Sequence, residues 1–154
     1  MKRLAPKLLA AFLLVLAALA ACRKESDPVR SALDALAKAA SHRDADAAAD
    51  LLATTYADAE HADRAAALLT IRRYFAAYES ISASFSDLTI DRKTDLARAI
   101  FTATFDGAPR KIGSLEGFLP RSAKVKFEMN LVPEEGRWKV AWAGWQLVSE
   151  GTGP

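Results

Sequence analysis

The feature that most constrains this chain is a change of hydrophobic period near residue 79. Before it, apolar residues recur every three or four positions; after it they alternate. A helix repeats every 3.6 residues and a strand every two, so one segment cannot satisfy both patterns. The chain must therefore divide into a helical N-terminal part and an extended C-terminal part.

On the helical side, Asp27-Pro28 reads as an N-cap followed by proline at the first helical position. Val29, Leu33, Leu36, Ala37 and Ala40 then share one face of a helix ending near Ser41-His42. Asp44 caps a second helix, expected to run through ADAAADLLATTY with Ala48, Leu51, Leu52 and Tyr56 turned inward. A third helix, roughly 62–78, sets Leu68, Ile71, Phe75 and Tyr78 on one stripe. The many alanines suit helices, because alanine is the best helix former and permits close packing.

On the extended side, Ile81, Ala83 and Phe85 occupy odd positions, and Leu88 and Ile90 even ones. That slip predicts a β-bulge near Ser86-Asp87, since a one-residue shift otherwise turns the apolar set to solvent. Ala97, Ala99, Phe101, Ala103 and Phe105 alternate with Arg98, Thr102 and Thr104; Val125, Phe127, Met129 and Leu131 alternate with Lys124, Lys126, Glu128 and Asn130. PEEG, 133–136, is a hairpin turn into RWKVAWAGWQLV, where Trp138, Val140 and Trp142 are even and Trp145 and Leu147 odd. Gly144 marks the expected second bulge. The result is an α+β domain: three N-terminal helices on a curved four-stranded antiparallel sheet, one face apolar and one polar.

This order of elements, with RRYFAAYESISASFSDLTI running from helix into strand and EEGRWKVAWAGWQL at the end, resembles the nuclear-transport-factor-2-like (NTF2-like) superfamily over 27–150. The resemblance implies a cone whose helices wrap a curved sheet. The superfamily includes ketosteroid isomerases, dehydratases, small-ligand binders and domains of no known activity, so the fold does not choose a function. APRKIGSLEGFLPRS, 108–122, departs from a tight hairpin and is expected to be a flap or an edge-covering loop.

The N-terminus carries a separate signal. Lys2, Arg3 and Lys7 precede the apolar run Leu8–Ala21, whose 14 residues are too few for a transmembrane helix of about 20. Positive, apolar and small-residue regions in that order read as an export signal over residues 1–21. Its end, Leu19-Ala20-Ala21-Cys22, resembles the bacterial lipobox. That resemblance implies cleavage between Ala21 and Cys22, a diacylglycerol on the Cys22 sulfur and an acyl chain such as palmitate on the new amine. Cys22 is the single cysteine of the chain. In an oxidising compartment lipidation would remove an otherwise unpaired thiol. Two or more acyl chains anchor a protein stably where one does not.

Residues 22–26 then form a short tether of about 13 Å beyond Cys22, at about 3.3 Å per extended residue. The lipoprotein resemblance, with Arg23 in place of aspartate after the cysteine, implies the periplasmic face of the outer membrane rather than the inner membrane. Arg23-Lys24 would face anionic headgroups. The whole sequence has a formal charge of +2, but without residues 1–21 there are 18 Lys plus Arg against 19 Asp plus Glu. The basicity belongs to the leader, which removes the global argument for a nucleic-acid partner. The local pairs Arg72-Arg73, Arg110-Lys111 and Lys124/Lys126 read as solvated surface.

No catalytic motif emerges. An isomerase-like site needs an acid and a proton donor converging in the cone, and the inward strand positions hold neither acid nor histidine. The pocket candidates are Asp87 at the bulge with Tyr56, Tyr74 or Tyr78, and Trp142, which with Trp138 and Trp145 either lines a ligand mouth or packs the core. His42 and His61, near Asp44, Asp46, Asp58 and Asp63, lack metal-ligand spacing and fit capping and solvation. No glycine-rich phosphate loop follows a strand, so no cofactor or metal is expected. Two readings stay open: a lipid-anchored envelope module that binds a protein or small apolar ligand, and an enzyme using the cone as its active site. Homodimerisation through the outer sheet face, where Ile100 interrupts the polar residues, is compatible with either.

Overall fold

The computed structural model describes residues 26–110 and 120–148. Residues 1–21, Cys22, most of the 108–122 segment and the C-terminal tail lie outside them. Three helices, α1 (Pro28–His42), α2 (Ala45–Asp50) and α3 (Arg64–Ala77), accompany five strands: β1 (Leu52–Asp58), β2 (Tyr78–Arg92), β3 (Ala97–Pro109), β4 (Ser122–Glu134) and β5 (Arg137–Leu147).

Each helix starts where an aspartate can satisfy its free amides. Asp27 accepts from Val29 N–H at 2.8 Å, Asp44 from Ala47 N–H at 2.9 Å and Asp63 from Ala66 N–H at 2.9 Å. Arg43, left-handed at φ 55°, ends α1. The helix lies along β2, with Asp27 paired to Arg92 at 3.5 Å and Ser41 Oγ accepting from Ala83 N–H at 3.0 Å.

The sheet order is β1-β5-β4-β3-β2, antiparallel except for the parallel pair β1 and β5. This corrects the four-stranded antiparallel expectation, and with it the second helix through Tyr56, which stops at Asp50. The reason is local ambiguity. Leu52 and Tyr56 are four apart, a spacing that puts two residues on one face of a helix and of a strand alike. The β-branched pair Thr54-Thr55 favours the extended choice, and β5 offers an edge to pair with. Tyr78 likewise opens β2 rather than closing α3.

The first bulge is where parity predicts it. Pairing jumps from Ser86↔Thr102 to Thr89↔Ile100, with Asp87 at φ 56°. The second is displaced: Leu131 pairs with Val140 and Asn130 with Trp142, so Ala141, not Gly144, is the extra residue. Parity therefore changes before Trp142, which leaves the inward set and joins the face of Asn130. Gly144 is small for another reason, since a Cβ there would stand 2.6 Å from Trp142 Cη2. The β4–β5 turn is a two-residue one, with Glu135 at φ 53° and Gly136 at φ 74°, as a twisted hairpin requires.

Register now gathers the apolar residues of β2 to β5 on one face, which the helices cover. Val29 and Leu33 of α1, Ala97 and Ala99 of β3, Leu131 of β4 and Val140 of β5 are buried together at its centre. Leu131 has no exposed surface and pairs with both Ala97 and Val140. Leu131→Ala should lower the unfolding free energy by about 2–5 kcal/mol, the cost of a buried leucine plus its cavity. Urea unfolding of the two chains checks this; a loss well below that range would mean the helices settle into the space.

Candidate functional site

The residues singled out from the sequence do not converge. Asp87 is exposed on the bulge, its Oδ2 accepting from Ser86 Oγ at 2.9 Å. Tyr74 is exposed on α3 and its ring stacks on Tyr78 at 6.3 Å. Tyr78 is buried and donates its hydroxyl to Pro120 O at 2.8 Å. Trp142 sits on the outer sheet face, and Tyr56 on β1. Only Tyr74 and Tyr78 are brought together, and no hydrogen bond joins Asp87 to a tyrosine among the described residues.

The helix-covered face carries aromatic rings toward the end where β3 leaves and β4 enters. Phe85, Phe101, Phe127 and Trp145 follow one another at centroid spacings of 5.5, 5.5 and 6.4 Å, with Phe105 edge-on to Phe127. Arg30 of α1 lies 5.7 Å over the Phe85 ring. Trp145 and Leu147 remain exposed at the rim. Such a surface presents apolar area, and its rings carry no group for proton transfer.

The polar chemistry lies at the β1 edge. Tyr56 and Asp58, two apart on a strand, point to the same side, and both are buried. Burial, then the neighbouring Asp58 charge, pushes the Tyr56 phenol up to about 12. Asp58 Oδ1 accepts from Glu60 N–H and Ala62 N–H, each at 2.9 Å, and so builds the turn into α3. His61 takes φ 65° in that turn. The proximity of Asp58 to Tyr56 was not legible in the sequence, because Tyr-x-Asp alternation means something only once the segment is known to be extended.

Tyr56 also lines an open cleft of about 540 Å³ between β1 and α3, with Thr54, Asp63, Arg64, Leu68 and Arg72. Arg64 donates from Nη2 to Ala49 O at 2.8 Å, while exposed Arg72 meets Asp46 at 3.3 Å. Arg72 is shared with a second hollow of about 330 Å³, toward His42, Arg43 and Phe75. Among the described residues no group of three or more His, Cys, Asp and Glu side chains could hold a metal ion.

A polar cluster holds β1 in place. Glu134 of the β4–β5 turn accepts from Thr54 N–H at 3.0 Å and Thr54 Oγ1 at 3.1 Å. Lys139, buried, donates to Glu134 at 3.2 Å and Glu135 at 2.7 Å. The Thr54 amide first, and then Lys139, hold the Glu134 carboxyl below the ordinary 4.5; the Lys139 hydrogen bond does the same for Glu135. Lys139 is raised above 10.5, chiefly by its bond to Glu135.

No protein-family profile and no curated protein matches the sequence. Solved structures do match the fold. A candidate dehydratase of the NTF2-like family from Streptomyces avermitilis superposes with a TM-score of 0.66 at 16% identity, over 79% of this chain and 94% of its own. An NTF2-like superfamily protein from Salmonella enterica serovar Typhimurium gives 0.65 at 9% identity, over 82% and 94%. Bd1075 of Bdellovibrio bacteriovorus gives 0.65 at 8% identity over 78% of this chain, which spans only 40% of that protein. At these identities the likeness is one of fold: the domain has the NTF2-like α+β architecture with a curved sheet.

The cluster around Lys139 makes stability depend on pH in a stated direction. Carboxyls depressed in the folded state contribute fully above their unfolded values, about 4.3, and the contribution is lost as pH falls through the folded values. The raised Lys139 contributes below about 10.4 and is lost as pH climbs through its folded value. Glu134→Gln should therefore melt lower than wild type at pH 7, with the gap narrowing below pH 4. Thermal unfolding from pH 3 to 8 checks this, and a gap independent of pH would remove the carboxylate from the account.

Proposed function

We propose that the chain is a lipid-anchored bacterial envelope protein whose NTF2-like domain binds a ligand or partner protein rather than turning over a substrate. Binding is favoured over catalysis by how the candidate acids are used. Asp58 Oδ1 holds two backbone amides, and Asp87 is bonded to Ser86 on an exposed bulge. A general base needs a carboxylate aimed at substrate, whereas the aromatic face needs only an apolar guest. The enzyme reading draws on neighbours such as the candidate dehydratase, and on Tyr56 as a protonated phenol.

Anchorage rests on the basic leader, the short apolar run and Leu19-Ala20-Ala21-Cys22. The ion pair of Asp27 with Arg92 brings the start of the domain to the end of the sheet that holds the β2–β3 turn. On this reading that end lies nearest the bilayer. Arg23 after the cysteine favours the periplasmic face of the outer membrane.

Cys22→Ser should leave the precursor uncleaved and unlabelled by fatty acid; normal processing of that variant would sink the anchor. Affinity capture of the membrane-bound protein, with mass spectrometry of bound proteins and small molecules, separates the two activities. A partner or an unaltered ligand supports binding, and a captured molecule that the pure protein converts supports the enzyme.

A further inference from the structure

We propose that the cleft between β1 and α3 binds a small organic carboxylate, with the Tyr56 hydroxyl and the Arg64 and Arg72 guanidiniums as donors. This deepens the binding-module reading and rests on it, but places the charged end of the ligand at the β1 edge rather than among the aromatic rings.

Among the described residues every fully buried side-chain nitrogen or oxygen has a hydrogen-bond partner. The Tyr56 hydroxyl has none among those residues, although Tyr56 is only 8% exposed. It must therefore keep access to solvent, and the opening that Tyr56 lines is this cleft. Buried polar groups are normally paired, so a deeply set donor facing an open cleft is a place for an acceptor. With its pKa pushed up to about 12, the phenol stays protonated and donates at any physiological pH.

Arg64 supplies charge at low entropic cost. Its bonds from Nη2 to Ala49 O at 2.8 Å and from Nε to Leu52 O at 3.4 Å fix the guanidinium, and they leave Nη1 without a partner among the described residues. Arg72, about two turns further along α3, is exposed and its bond to Asp46 is an open surface pair, which a ligand can displace cheaply. A bound anion would then find two guanidiniums and a phenol among the residues lining one cleft, donors of the kind that recognise carboxyl oxygens.

The acids at the site decide the ligand's charge. Asp63 lines the cleft and Asp46 sits beside Arg72, so two carboxylates stand against two guanidiniums. The cleft is therefore close to neutral, and selection falls to the directed donors, which match a single carboxylate without calling for a second negative charge. Ala65 and Leu68 give the wall an apolar stretch for a carbon body. The volume, about 540 Å³, falls among small-molecule sites.

The test uses the full chain in detergent micelles, labelled with 13Cζ-tyrosine. The sequence has three tyrosines, so three resonances report on three places. Benzoate is the probe and benzamide its neutral counterpart. Benzoate should move the Tyr56 resonance saturably and leave Tyr74 and Tyr78 still, and benzamide should bind at least about ten-fold more weakly, as the loss of charged hydrogen bonds implies. Tyr56→Phe should weaken benzoate about ten-fold by calorimetry, with unchanged Tyr74 and Tyr78 signals proving the fold intact. Arg72→Ala, on an exposed side chain, should weaken it about three-fold or more.

No saturable shift at Tyr56, equal affinity for benzamide, or undiminished binding by folded Tyr56→Phe and Arg72→Ala would overturn the proposal. Inorganic phosphate displacing benzoate at lower concentration would overturn the choice of a singly charged ligand. A benzoate shift at Tyr78 instead would move the ligand into the cone, ending this inference while leaving the binding-module reading standing.

Discussion

A single extra residue in a β-strand exchanges its two faces, and among the described residues β2 carries two, after Tyr78 and after Ser86, and β5 one, at Ala141, placed so that the apolar face stays whole. Without the bulge after Ser86, Leu88 and Ile90 would turn to solvent while Phe85 stayed inside. Without the one at Ala141, either Val140 or Ala143 would leave the core. Everything else depends on this continuity. The helices cover the sheet only because one face is apolar from Ile81 to Leu147, and each bulge adds twist that curves the sheet around them.

The β1 strand depends on a different balance. It has a single partner, β5, and its register is irregular: Leu52 faces Val140, but Ala57 already faces Trp142. Backbone pairing alone leaves the intervening residues poorly held. The carboxylate of Glu134 meets this need by accepting from both the amide and the hydroxyl of Thr54, and Lys139 neutralises it. One polar cluster at the β4–β5 turn thus fixes the segment that delivers Tyr56 and Asp58. Its members are charged residues in a hairpin, which in sequence look like ordinary surface.

That difference explains what could be read from the chain and what could not. Local rules were legible: Asp27-Pro28 starts α1, Asp44 caps α2, the parity slip locates the Ser86 bulge and Glu135-Gly136 turns the hairpin. Features that need a remote partner were not. Leu52 and Tyr56 satisfy helix and strand equally, and only the edge of β5, more than eighty residues away, decides between them. Gly144 looked like the bulge because glycine often marks one, yet its smallness serves the Trp142 ring. Tyr56 was chosen as a pocket residue from a supposed helix; its neighbour Asp58 was invisible as a partner for the same reason.

The two ends of this logic meet in where chemistry can occur. Phe85, Phe101, Phe105, Phe127 and Trp145 give the covered face volume and cohesion but no group that titrates or coordinates. A buried charge among them would need pairing that the inward positions do not supply. Polar function is pushed to the margin, where the sheet ends and backbone groups are free to organise side chains. At β1 this happens three times: carbonyls of Ala49 and Leu52 hold Arg64, amides of Glu60 and Ala62 hold Asp58, and the amide of Thr54 holds Glu134. Each of these three ionic side chains has main chain among its partners, with Glu134 also held by the Thr54 hydroxyl and Lys139, so its position follows the strand. Tyr56 is the exception, held by packing and left with its hydroxyl unspent. The same edge that sequence periodicity could not assign is therefore where the domain keeps ordered charges and a buried tyrosine whose phenol has no partner among the described residues.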